Sequence, residues 1–177
     1  MSPFVRHLTT DRLALLAEGS DDKFRQLVYD IFTIANHMQT VRAGMANQIG
    51  VTGPQYSILL AVAESQESGG VGVKAVADHL HVSGAFVTSE TGKLIKSGLL
   101  KKKSDPTDRR RVLLTLTDTG QAAIEKILPE LSRINNVFFS SLDEAAFSKM
   151  AWAMAEMVPY AQAATKLLDP AIRRIGK

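Results

Sequence analysis

The chain contains no cysteine, which excludes disulfides, thiolate metal sites and thiol redox sensing together. Long apolar runs are also missing, and nothing approaches the roughly eighteen apolar residues of a membrane span. The opening MSPFVRHLTTDRL lacks the continuous apolar segment and small-residue cleavage site of a secretory signal, so a cytoplasmic location with no membrane partner is expected. There is no internal repeat and no low-complexity segment. A Gly-rich phosphate loop, a nucleophile elbow and paired catalytic acids are absent too, so the chain reads as a non-enzyme without a cofactor. His79 and His81 lie two apart near a helix end, with His7 and His37 elsewhere. Without thiols this is no clean metal site, and none is expected.

What is present is ordinary for a globular protein: 177 residues, 45% hydrophobic and 22% charged, enough for one domain or two small intertwined ones. The charge, however, is unevenly placed. Between Lys93 and Arg111 stand eight basic residues (Lys93, Lys96, Lys101, Lys102, Lys103, Arg109, Arg110, Arg111) and two acidic ones (Asp105, Asp108). That stretch carries +6 against +3 for the whole chain, so everything else sums to −3. A concentrated basic patch suits an acidic polymer such as DNA, although a solvated basic hairpin would carry the same charge.

The patch lies in an ordered pattern. Ser83 can cap a helix that carries Val87, Thr91, Leu94 and Ile95 at helical spacing and stops at Gly98. Leu99 to Ser104 and Arg111 to Thr117 read as two strands, with Val112, Leu114 and Leu116 on one face. Asp105-Pro106-Thr107-Asp108 between them is turn chemistry. Upstream, residues 1–20 form an arm with a weak apolar cluster (Leu8, Leu13, Leu15, Leu16) that needs a surface to pack on. Phe24 to Ile49 is a long amphipathic helix whose stripe exceeds what a small core covers, so part of it should meet a second subunit. Thr52 and Gln55 form a capping box that opens a second helix ending near Glu67. A flexible break at 68–70 precedes a short helix, Val73 to Leu80, and the turn at His81-Val82 completes a helix-turn-helix. Downstream, Asp118 is a cap candidate for a helix that Pro129 should kink or break. Asp143 opens a last helix running to about Leu168, on which Met150, Met154 and Met157 read as core. Residues 169–177 are a basic tail.

With this order the chain resembles the MarR family of winged helix-turn-helix regulators. The resemblance covers about residues 21–168. It rests on Thr52-x-x-Gln55 with Ile58-Leu59, on Val82-Ser83, Val87-Thr88, Leu94 and Gly98-Leu99, and most specifically on Asp105-Pro106-Thr107-Asp108-Arg109-Arg110 running through Leu116-Thr117 to Gly120. It implies a mainly α fold with a small β wing: a winged helix-turn-helix DNA-binding lobe at 51–117 and a helical dimerisation region at 21–50 and 118–168. The implied function is a transcriptional regulator, a homodimer on a pseudo-palindromic DNA operator, released by a small and possibly aromatic acid ligand and acting as a repressor. On the recognition helix, Ser83, Gly84, Ala85, Thr88 and Ser89 would face the major groove, with Lys93 further along. At the wing, Asp108 would hold Arg110 in the minor groove while Arg109 and Arg111 meet phosphates. Two residues depart from the family's pattern: Ser89 stands where a basic residue is usual, and Glu90 where an apolar one is. A protein–protein interaction module that keeps the winged helix without reading DNA is the alternative.

Arg42 interrupts the apolar stripe between Met38 and Met45, where a charge needs a partner. It is the candidate anchor for an anionic ligand, with His37 and Tyr56 as second-rank pocket residues. An inter-subunit ion pair or a phosphate contact would use Arg42 equally well.

Overall fold

The computed structural model describes residues 7–65, 69–105 and 112–168. They form six α-helices and three short strands in two compact units that divide at Pro129. The first unit holds α1 (Asp22–Gln48), α2 (Gly53–Glu64), β1 (Val71–Gly72), α3 (Val73–Leu80), α4 (Gly84–Lys96), β2 (Leu100–Ser104), β3 (Val112–Leu116) and the start of α5 (Asp118–Phe138). The second holds the remainder of α5 and α6 (Glu144–Lys166). The mainly α fold with a small β wing is therefore the one present. No described helix is long and apolar enough to cross a membrane.

The core of the first unit is built around α2. Its sequence, GPQYSILLAVAE, is apolar on nearly every side, and Tyr56, Ile58, Leu59, Ala61 and Val62 are all buried. Val76 and Ala77 of α3, Val87 and Leu94 of α4, Leu100, Leu114 and Leu116 of the sheet and Ile124 of α5 close over it. As expected, Thr52 caps α2: its hydroxyl accepts from the Gln55 amide N–H while the Gln55 side chain accepts from the Thr52 N–H. The helix ends at Glu64, earlier than the expected Glu67, which lies outside the described residues.

Both helix exits that shape the lobe use a left-handed residue. His81 (φ 54°) ends α3, with the Val82 N–H donating to the Ala77 carbonyl at 3.0 Å. Gly98 (φ 75°) ends α4, with the Leu99 N–H on the Leu94 carbonyl at 3.0 Å and the Gly98 N–H on that of Ile95 at 3.0 Å. This is the doubly bonded stop that glycine favours.

The expected two-stranded ribbon is a three-stranded antiparallel sheet of order β1-β3-β2. Val71 and Gly72 pair with Leu114 and Leu113, and β2 pairs with β3 from Leu100↔Leu116 to Ser104↔Val112. A two-residue strand has no period to read, so nothing in the sequence announces it. Its presence also upsets the alternation expected of β3. Paired along both edges, that strand buries Thr115 along with Leu114 and Leu116, while Val112 at its outer end is exposed.

The cap of α5 is Thr117 rather than the expected Asp118. The Thr117 hydroxyl accepts from the Gly120 N–H at 3.0 Å and donates to the Gly98 carbonyl at 2.6 Å. One side chain thus fastens the start of α5 to the exit of α4. Pro129 does not break α5, which runs unbroken to Phe138, although the two compact units part there.

The first turn of α1 is strapped to the arm. Asp21, only 2% exposed, accepts from the N–H and hydroxyl of Thr9, both at 2.7 Å, and from Arg25 Nε at 3.0 Å. Arg25 foremost, and then Thr9, holds the Asp21 carboxyl well below the usual carboxylate range. The arm contributes a short 3-10 turn, Leu13–Leu15, while Leu8 and Leu13 remain exposed.

Much apolar surface stays uncovered. Of the α1 stripe only Met45 and Ala46 are buried, while Tyr29, Phe32, Ile34 and Met38 are exposed. In the second unit α6 buries nothing: Phe147, Trp152 and Tyr160 are open. So are Met154 and Met157, which the sequence had suggested were core.

Two helical glycines give opposite expectations. A Cβ at Gly92 would meet nothing within 4 Å, so Gly92→Ala should stabilise by up to about 1 kcal/mol. A Cβ at Gly120 would overlap the Leu99 carbonyl, so Gly120→Ala should destabilise by about 1–3 kcal/mol despite the same helix preference. Denaturant midpoints at fixed protein concentration test both, and equal shifts would contradict the packing described.

Candidate nucleic-acid interface

The interface candidate is the outer face of α4 together with the strand beside it. Ser83 accepts from the Phe86 N–H at 3.2 Å and so holds the first turn of α4. Val87, Glu90, Thr91 and Leu94 point inward. That rotation leaves Ser83, Gly84, Ala85, Thr88 and Ser89 exposed, a run of small side chains that lets a helix backbone approach a flat or grooved partner closely. Thr88 donates its hydroxyl to the Gly84 carbonyl at 2.9 Å, which orients the oxygen and leaves its lone pairs outward. The structure therefore gathers all five expected recognition-helix residues on one exposed surface.

Lys93 follows on the edge of that surface, but its ammonium is engaged. It donates to Glu90 Oε1 at 2.6 Å, and Gln55 Nε2 donates to Glu90 Oε2 at 2.9 Å. Glu90 is only 8% exposed. The Lys93 bond above all lowers the Glu90 pKa, against the opposing effect of burial and with help from Gln55. Gln55 thus works at both ends, closing the α2 cap with its oxygen and holding α4 with its nitrogen. Sequence reasoning marked Glu90 as a departure and missed its use. The i,i+3 spacing to Lys93 was the available signal.

Free positive charge sits next door. β2 is an edge strand carrying Lys101, Lys102 and Lys103, all exposed, and its first residue, Leu100, is buried. The tip bearing Asp108, Arg109, Arg110 and Arg111 lies outside the described residues. Asp105, at its base, is buried.

The expected ligand residues are not brought together. Arg42 lines a pocket of about 280 Å³ with Pro54, Ser57, Leu80, Val82 and Phe86. Its guanidinium crosses the start of α2 so closely that a Cβ on Gly53 would lie 3.1 Å from Arg42 Nε. Among the described residues no carboxylate pairs with it. His37 is exposed and absent from this pocket, and Tyr56 is buried in the core, where desolvation raises its pKa. His79 Nε2 stands 3.5 Å from Glu64 Oε2, and His81 occupies the left-handed turn.

A short helix, a tight turn, a second helix with an exposed small-residue face and a β ribbon beside it define a winged helix-turn-helix. The description "MarR family" belongs to the family model that matches residues 49–111. That match covers the winged helix-turn-helix, and the fold of the chain is similar to that of solved MarR-family regulators. The chain is 26% identical over 101 residues to the organic hydroperoxide resistance transcriptional regulator of Bacillus subtilis (strain 168), spanning 57% of this chain and 67% of that protein. Its fold is similar to that of S. aureus MepR in a DNA complex (TM-score 0.66, 20% identity, covering 76% of this chain and 95% of that one). It is similar also to CouR from Rhodococcus jostii RHA1 bound to p-coumaroyl-CoA (TM-score 0.69, 17% identity, covering 78% and 95%).

Proposed function

We propose that the protein binds a pseudo-palindromic DNA operator as a homodimer, as a repressor released by a small organic acid. The observation that carries DNA binding is the exposed, uncharged face of α4 (Ser83, Gly84, Ala85, Thr88, Ser89) beside the three free lysines of β2. The face suits base edges in a major groove and the lysines suit phosphates. The wing arginines Arg109, Arg110 and Arg111 extend the positive surface, with Arg110 entering the minor groove under the orienting charge of Asp108. The DNA-bound MepR structure shares this fold. Arg110→Ala should weaken operator binding by about 1–3 kcal/mol and reduce the salt slope by about one. Asp108→Ala should also weaken it, although it removes a negative charge. Titrations over a salt series test both, and unchanged affinity in Arg110→Ala rejects the assignment.

Dimerisation is supported by the apolar surface that each unit leaves open, with Tyr29 and Phe32 on α1 and Phe147, Trp152 and Tyr160 on α6. Patches of that kind mark association surfaces. The unfolding midpoint should rise with protein concentration, and a stable folded monomer in sedimentation at micromolar concentration contradicts the reading.

The effector site proposed is the Arg42 pocket, whose single cation sits among Pro54, Leu80, Val82 and Phe86. That combination suits a carboxylate on an apolar body. The CoA-thioester complex of CouR shows a protein of this fold with an aromatic acyl ligand. Val82 and Phe86 belong to the entry of α4, so a ligand favouring one placement of that helix over another would shift DNA affinity, by a coupling of about 1–3 kcal/mol. Arg42→Ala should keep operator binding and lose release by aromatic acids, and the primary amides of those acids should be inert on the wild type. A mutant still released by the acid removes Arg42 from the site, and a mutant that loses dimerisation makes Arg42 a structural charge.

A further inference from the structure

Glu90 is a costly residue in its place. It occupies the inward side of α4 with Val87, Thr91 and Leu94, and a buried carboxylate there needs partners that an apolar side chain would not. Both of its oxygens are used, and by two different kinds of partner. Oε2 accepts from Gln55, a residue of a different helix whose other end is fixed in the cap of α2. Oε1 accepts from Lys93, a residue of its own helix that borders the exposed face. The first bond joins α2 to α4, and the second pairs a lysine whose side chain stays 60% exposed.

We propose that Glu90 is a positioning residue of the DNA interface: through Gln55 it sets the seating of α4 on α2, and through Lys93 it withholds a charge from the phosphate backbone. This rests on the DNA-binding reading above. The two effects point the same way. A helix fixed about its axis presents Gly84, Ala85, Thr88 and Ser89 in one register, which favours discrimination among sequences. A lysine paired within the protein contributes less to the attraction common to every sequence. The seating bond is also close to the Arg42 pocket in sequence and in space, because Pro54 and Ser57 flank Gln55 on the first turns of α2.

Substitutions separate the two roles. Glu90→Gln keeps an oxygen for the Gln55 amide and loses the charge that holds Lys93. Glu90→Leu loses both and supplies the apolar side chain the inward face otherwise favours, so it guards against a polar variant that fails to fold. Each is titrated, over a salt series, against the duplex that wild-type protein enriches from a random library and against a mixed-sequence duplex, with melting temperatures recorded alongside. Glu90→Gln should bind mixed-sequence DNA more tightly and steepen the salt slope by about one phosphate contact. Adding Lys93→Ala should cancel that gain, and it should flatten the slope more in the Glu90→Gln background than in wild type. Glu90→Leu should show the same gain and in addition lose roughly tenfold in discrimination between the two duplexes, the size of one mismatched base pair. A purely structural carboxylate would change melting temperature and leave both the salt slope and the Lys93 coupling where they were; that result overturns the proposal. Wild-type protein that binds neither duplex overturns the DNA reading instead and takes this one with it.

Discussion

The lobe depends on α2 being apolar on nearly all sides. Its first turn lies nearer the surface and is closed by its own residues. Thr52 and Gln55 do this, and Pro54 in the same turn has no N–H to satisfy. The demand then propagates. Because the Gln55 oxygen is committed to the Thr52 N–H, its nitrogen is held in a fixed direction, and that direction meets Glu90 on α4. The same packing sets the exposed face of α4, since seating Val87, Thr91 and Leu94 inward determines which residues are left outside. Recognition surface and core are two sides of one rotation.

Elements with their own period or cap were legible in the sequence. The bounds of α3, the Ser83 cap, the Thr52–Gln55 box and the Gly98 stop all follow from local chemistry, and the structure places each as read. What escaped depended on a partner distant in the chain. Val71 and Gly72 are a strand only because Leu113 and Leu114 lie beside them. Thr117 rather than Asp118 caps α5, and its hydroxyl, besides accepting from the Gly120 N–H, donates to the Gly98 carbonyl nineteen positions away. Asp21 looks like the cap of α1, yet its carboxylate is spent on Thr9 and Arg25. For α5 a neighbouring residue had the right type, and a long-range contact chose differently.

The methionines of α6 show a related ambiguity. Apolar residues at helical spacing state that a face will be covered, not by what. Met154 and Met157 satisfy the pattern as well as any core residue, yet nothing described covers them, and the same holds for Phe32 on α1. Arg42 is the converse. Its place on an apolar stripe asks for a partner, and among the described residues it has a pocket wall and no carboxylate. Of the other two ligand candidates, the fold puts His37 on the surface and Tyr56 in the core.

The distribution of charge separates attraction from reading. Edge strands commonly carry lysine to discourage pairing with another chain, and that accounts for part of the Lys101–Lys103 run on β2. It does not account for the neutrality of the α4 face a few residues earlier, where Ser89 stands in place of a basic residue and Lys93 is turned onto Glu90. If the protein needed only to adhere to a polyanion, cations on the helix would serve as well as cations on the ribbon. The first turns of α4, from Ser83 to Ser89, carry no charged side chain, so what affinity they add would come from the fit of small side chains to base edges, while Lys96 lies at the far end of the helix. On the proposed function, the lysines and the wing would supply attraction to any duplex, and α4 the difference between one duplex and another.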